Sequence, residues 1–205
     1  KKAPKQKAPV ELKDYGFVAV CMGKGITNIL KDLGVDRVIE GGQTMNPSTD
    51  DILKAVKRVK AKTVYVFPNN KNIIMAANQA AELVEDKKIV VIPSKSVPQC
   101  ISAMVEFNDK KSAEANEKAM NKAIGRVTSG QLTYAVRDTE IDGIEIKKDD
   151  ILGMVEGKIV TVGKDIDDVL NRVVSQMVDE DTEFLNVYYG KEIKKPQADV
   201  MLKAL

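Results

Sequence analysis

Four stretches of this chain place glycine, lysine and small polar side chains directly behind short apolar runs. They are Met22-Gly23-Lys24-Gly25, Gly41-Gly42-Gln43-Thr44-Met45-Asn46-Pro47-Ser48-Thr49, Pro68-Asn69-Asn70-Lys71-Asn72 and Pro93-Ser94-Lys95-Ser96. Each leads into a segment with helical spacing of apolar residues, so each supplies a helix N-terminus. Free backbone N–H groups and the helix dipole there attract an anion or a carboxylate. The candidate partner- or ligand-binding residues are therefore Gly41, Gly42, Gln43, Thr44, Asn46, Ser48, Thr49, Asn69, Asn70, Lys71, Asn72, Ser94, Lys95 and Ser96. A plainer reading stands beside this one. Ser48 with Asp51 three residues on makes an N-cap, Gly41-Gly42 allows a left-handed turn, and Asn69 and Asn70 suit turns and caps. Residue types alone leave both readings open.

Other chemistries are excluded or weakly supported. The chain contains 0 histidines, so no Ser-His, Cys-His or His-metal site exists within it. Cys21 and Cys100 are too few for a disulfide framework and fit a reducing cytoplasm, the expected location. Cys21 ends an apolar run and reads as a small buried hydrophobe. Gly23 and Gly25 form a G-x-G after the first run, but Asn28 stands where a dinucleotide fingerprint needs its third glycine. Lys24 and Lys95 lack an activating neighbour for Schiff-base chemistry. The acidic group Asp138, Glu140, Asp142, Glu145, Asp149 and Asp150 lacks the glycine-centred calcium-loop spacing and reads as a solvated face. No catalytic residue and no metal ligand is assigned.

Charge and composition narrow the partners. The 32 basic and 30 acidic side chains give a net charge of +2, and aromatics are 4% of residues, which argues against nucleic acid. No apolar run approaches the length of a transmembrane helix. Residues 1–14, rich in Lys, Pro and Ala, read as a solvated linker. Asp199 to Leu205 looks like a helix without a stop signal, so the chain is expected to be a truncated piece of a longer protein.

The elements that must carry the four loops follow from periodicity. Strands are expected at Gly16–Cys21, Arg37–Ile39, Thr63–Phe67 and Lys88–Ile92, short and apolar on both faces. Helical spacing recurs at Ile52, Leu53, Val56 and Val59, and again from Ile73 to Val84. This alternation predicts an α/β lobe over residues 15–110, a doubly wound parallel sheet whose loops share one edge. Residues 111–205 predict a smaller α+β lobe. Its elements are a helix over 112–127, strands at Leu132–Val136 and Ile144–Ile146, a hairpin turning at Glu156-Gly157, a helix over 165–178 and a last strand at Phe184–Tyr189.

The segments Gly41 to Ile52, Pro68 to Ala77 and Ile92 to Gln99, continued by Gly153 to Ile159 and the acidic stretch before Phe184, resemble the C-terminal region of bacterial fatty acid kinase A subunits, long described as dihydroxyacetone-kinase-like. The resemblance implies a DegV-like two-lobed fold. It implies a non-catalytic domain that docks a fatty-acid-carrying B subunit, whose acyl carboxylate is phosphorylated to an acyl phosphate. ATP and magnesium would sit in the N-terminal domain of the parent protein, with no cofactor in this fragment, and the parent could form a homodimer. An alternative within the same family is a receptor for a fatty acid or phosphorylated polyol in the cleft between the lobes.

Overall fold

The computed structural model describes residues 12–41, 45–141 and 143–205. By its contacts the chain divides into two units, Lys1–Val127 and Thr128–Leu205.

The first unit alternates strand and helix, as the apolar runs require. Its order is β1 (Lys13–Cys21), α1 (Lys24–Asp32), β2 (Arg37–Glu40), α2 (Thr49–Arg58), β3 (Ala61–Phe67), α3 (Ile74–Glu82), β4 (Lys88–Val91), α4 (Val97–Glu106) and α5 (Ala113–Ile124). The four strands pair in parallel in the order β2-β1-β3-β4. Side-chain alternation along β1 and β3 sorts the core into two layers. Phe17, Ala19, Tyr65 and Phe67 pack with Leu30 of α1, Cys100 and Met104 of α4, and Met120 and Ile124 of α5. Val18, Val20, Val64 and Val66 face the other way, onto Ile52 and Val56 of α2 and Ala77 and Ala80 of α3. Both faces of the sheet are covered, which explains strands with no polar alternation.

The boundary between units differs from the expectation near residue 110. Helix α5 belongs to the first unit because Met120 and Ile124 complete its core and the Tyr65 hydroxyl donates to the Ala113 carbonyl at 3.0 Å. Lys13 and Asp14, assigned to the linker by composition, instead open β1. Lys13 lies opposite Ala61 and its ammonium meets Asp36 at 2.8 Å, while Asp14 receives Lys62 at 2.7 Å. The rest of the predicted linker, residues 1–11, lies outside the described residues.

The second unit holds an antiparallel sheet of β5 (Gly130–Tyr134), β8 (Ile151–Val155) and β9 (Lys158–Gly163) in the order β5-β8-β9. Helix α6 (Ile166–Met177) lies on it through Val169 and Val173. Its N-cap is Asp165, which accepts from the Asp168 amide. Three glycines set the spacing between helix and sheet. A Cβ on Gly153 would stand 2.5 Å from Val173 Cγ2, one on Gly130 2.8 Å from Val173 Cγ1, and one on Gly163 2.8 Å from Val169 Cγ2. The hairpin turns where expected: Glu156 and Gly157 take φ of 50° and 76°, both positive as in a type I′ turn.

Two expectations for this unit fail. A strand β6 (Thr139–Ile141) pairs with β7 (Ile144–Ile146) as a separate two-stranded ribbon, and Asp142 at its turn lies outside the described residues. Phe184–Tyr189 is not a strand. No ladder partner adjoins it among the described residues, Phe184 stays 83% exposed, and the chain proceeds to α7 (Lys195–Lys203). A short apolar run specifies a strand only when a neighbour supplies hydrogen bonds.

Candidate functional site

The four polar loops leave the C-terminal ends of β1 to β4, so parallel pairing brings them to one edge of the sheet. Strand order reverses at β1, with β2 on one side and β3 on the other, and ligands of such sheets favour this point.

At that point the loops are tied together. Asn69, the second residue past β3, donates from Nδ2 to the Val20 carbonyl of β1 at 2.8 Å. The Ser94 hydroxyl, in the loop after β4, donates to Asn69 Oδ1 at 2.6 Å and accepts the Asn69 amide at 3.2 Å. Ser94 is 0% exposed. Asn69 holds φ 55°, a left-handed conformation that asparagine tolerates better than most residues. One side chain thus bridges three strand ends.

Several remaining predicted residues organise their own loops. Ser48 caps α2: its hydroxyl accepts from the Asp51 amide while the Asp51 carboxylate accepts from the Ser48 amide, a complete capping box. That hydrogen bonding holds the Asp51 carboxyl below the usual range. Thr49 donates its hydroxyl to Gln79 Oε1 at 3.1 Å, joining α2 to α3. Asn70 Oδ1 accepts the Asn72 amide at 2.9 Å in an Asx turn. Ser96 caps α4 by accepting from the Gln99 amide. Gln99 Oε1 in turn accepts the Lys95 amide at 2.7 Å. Gly41 is required for close approach rather than for a left-handed turn, since a Cβ there would lie 2.9 Å from both the Met45 carbonyl oxygen and Pro47 Cδ.

Lys71, Asn72, Lys95 and Asn46 are exposed on the rim. Asn46 borders a groove of ≈ 570 Å³ beside edge strand β2, lined also by Val38, Pro47, Lys54 and Arg58. The predicted residues Gly42, Gln43 and Thr44 lie outside the described residues. Gln79 and Gln99 were not anticipated. The second had a signal, because Ser96-x-x-Gln99 has the spacing of a capping box; the first is brought in only by the packing of two helices.

The thiols near this edge are kept protonated. Burial pushes Cys100 up to about 12, with a hydrogen bond from Asn69 opposing and Cys21 adding. Burial likewise raises Cys21, opposed by the Thr27 hydroxyl 3.5 Å away and reinforced by Glu40. Neither offers a thiolate near neutral pH. Among the described residues no acidic or sulfur cluster is arranged to hold a metal. What the edge retains for a partner is its outer rim and the N-terminus of α1. Gly23 precedes that helix at φ 92° and no side chain caps it. Among the described residues no helix is long and apolar enough to cross a membrane.

Comparison with known proteins agrees with the motifs. The FakA-like C-terminal family, described as fatty acid kinase A-subunit-like, matches residues 16–205. Protein YloV of Bacillus subtilis (strain 168) is 49% identical over 191 residues, covering 93% of this chain and 34% of that protein. An uncharacterized protein of Staphylococcus aureus (strain USA300) is 43% identical over 196 residues, covering 96% of this chain and 36% of that protein. The chain therefore spans about a third of the length of the curated relatives it matches. On the match over residues 16–205 and this level of identity, the chain belongs to the FakA-like C-terminal family of fatty acid kinases.

Proposed function

We propose that this chain is a non-catalytic docking domain of a fatty acid kinase A-type protein, receiving the B subunit that carries the fatty acid. In this reading ATP and magnesium are bound by another part of the parent protein, where the acyl carboxylate is phosphorylated to an acyl phosphate. The observation that carries the proposal is the division of labour at the loop edge. Its inner polar groups, Asn69, Ser94 and Gln99, are consumed in tying loops together, while its outer side chains stand exposed. A braced polar edge with protonated thiols supports binding without turnover. Isothermal titration calorimetry of the chain against the purified B-type subunit from the same source tests it. Saturable heat at micromolar concentration is expected, and no heat there refutes the proposal.

The uncapped N-terminus of α1 favours a second reading, a receptor for a fatty acid or a phosphorylated polyol whose anionic head accepts the free amides. Native mass spectrometry of the chain after expression in a lipid-rich host tests this reading. A co-purifying ligand mass supports it and a clean apo mass removes it.

A further inference from the structure

The lysines of the first unit differ by edge. Where the strands begin, Lys13 pairs with Asp36 at 2.8 Å, Lys62 with Asp14 at 2.7 Å, and Lys88 with Glu114. Where the strands end, Lys24, Lys71 and Lys95 are exposed, and among the described residues none of the three has a carboxylate partner. The same edge carries three exposed methionines. Met22 follows β1 and is 50% exposed, Met45 precedes α2 and is 65% exposed, and Met75 lies in the first turn of α3 and is 71% exposed. A single exposed apolar residue needs no explanation. Three unbranched, polarizable side chains set among three uncompensated cations, on loops fastened by Asn69, make an adaptable apolar surface with one sign of charge.

We propose that this edge is the docking face, and that the protein surface it receives is acidic around an apolar centre. Carboxylates of the partner meet Lys24, Lys71 and Lys95, and its aliphatic side chains meet Met22, Met45 and Met75. The inference rests on the docking reading above and adds the face and its complement. A protein is favoured over a lipid surface because the chain contains 0 Trp and the described residues of this edge carry no aromatic side chain to anchor at a headgroup layer.

The test measures binding of the full chain to the purified B-type subunit by calorimetry and by surface-immobilised kinetics. It compares the native sequence, the triple variant Lys24→Glu/Lys71→Glu/Lys95→Glu, the triple variant Met22→Ser/Met45→Ser/Met75→Ser, and the control Lys122→Glu on α5. Circular dichroism establishes that each is folded. Charge reversal is expected to weaken binding on the order of 100-fold and methionine replacement roughly 10-fold, with the control unchanged. Salt dependence of association by the native sequence gives a readout that needs no variant, and association should slow as salt rises. Binding that survives charge reversal within twofold and ignores salt overturns this inference and leaves the docking reading standing. No binding by the native sequence removes both. Vesicles of phosphatidylglycerol are the remaining arm. Capture by vesicles, lost on charge reversal and accompanied by no binding to the B subunit, replaces the acidic protein with a membrane and overturns the proposal.

Discussion

Replacing Asn69 by alanine removes the Nδ2 hydrogen bond to the Val20 carbonyl at 2.8 Å and the acceptor for the Ser94 hydroxyl at 2.6 Å. Ser94 is fully buried, so its hydroxyl loses its acceptor away from water. Two neutral hydrogen bonds lost with a buried group left unsatisfied cost about 2–4 kcal/mol together. Residue 69 also sits at φ 55°, where a β-carbon adds roughly 1 kcal/mol relative to glycine. The sum is about 3–5 kcal/mol, a large part of the roughly 5–15 kcal/mol that stabilises a typical domain. Asn69→Gly loses the same hydrogen bonds but relaxes the backbone, so it should be about 1 kcal/mol less damaging than Asn69→Ala. Urea unfolding followed by far-ultraviolet circular dichroism, with tyrosine emission as a second probe because the chain has 0 Trp, measures both. A loss below about 1 kcal/mol for Asn69→Ala would refute the brace. Equal losses for the alanine and glycine variants would refute the backbone share.

Other outcomes follow from the same structure. Gly153→Ala forces a Cβ to 2.5 Å from Thr161 Cγ2 and Val173 Cγ2 and should destabilise the second unit by about 1–3 kcal/mol, read as a lowered melting temperature. Ser48→Ala opens the capping box of α2 and should cost about 1–2 kcal/mol in urea unfolding. Cys100 has a folded pKa raised from 9.0 to about 12, so its contribution to stability is complete below pH 9 and disappears as pH climbs toward 12. Cys100→Ala should flatten that alkaline decline, and both thiols should resist a disulfide reagent at pH 8 until the chain unfolds. The Lys88 ammonium, first among its hydrogen-bond partners, lowers Glu114 from 4.5 to about 2. That depressed carboxyl contributes above its unfolded pKa and loses its contribution as pH falls from 4.5 toward 2, so Glu114→Gln should make the acid limb of a stability–pH curve shallower.

The strand–helix alternation of the first unit could be read from sequence because every strand there is buried on both faces and every helix shows an apolar stripe. The caps at Ser48 and Asp165 and the turn at Glu156-Gly157 were legible for the same reason, since each depends on residues within three positions of one another. Contacts between distant residues were not. Helix α5 has the same periodicity whichever unit it joins, and only Met120 beneath the sheet decides. The run Phe184–Tyr189 has strand composition, but composition carries no information about a missing ladder partner. At the candidate edge the loops and their residue types were visible, whereas the direction of each side chain was not. Asn69 and Ser94 turn inward to each other across 25 positions of sequence, and Lys71 and Lys95 turn outward.

The Asn69 brace bears on how quickly a partner could engage. Segments that must freeze on association spend binding free energy on lost conformational entropy and slow the productive encounter. Here the ends of β1, β3 and β4 are already fastened before any partner arrives. Complex formation at this face should therefore proceed close to the rate of oriented collision, and its lifetime should be set by how long the contacts persist once made.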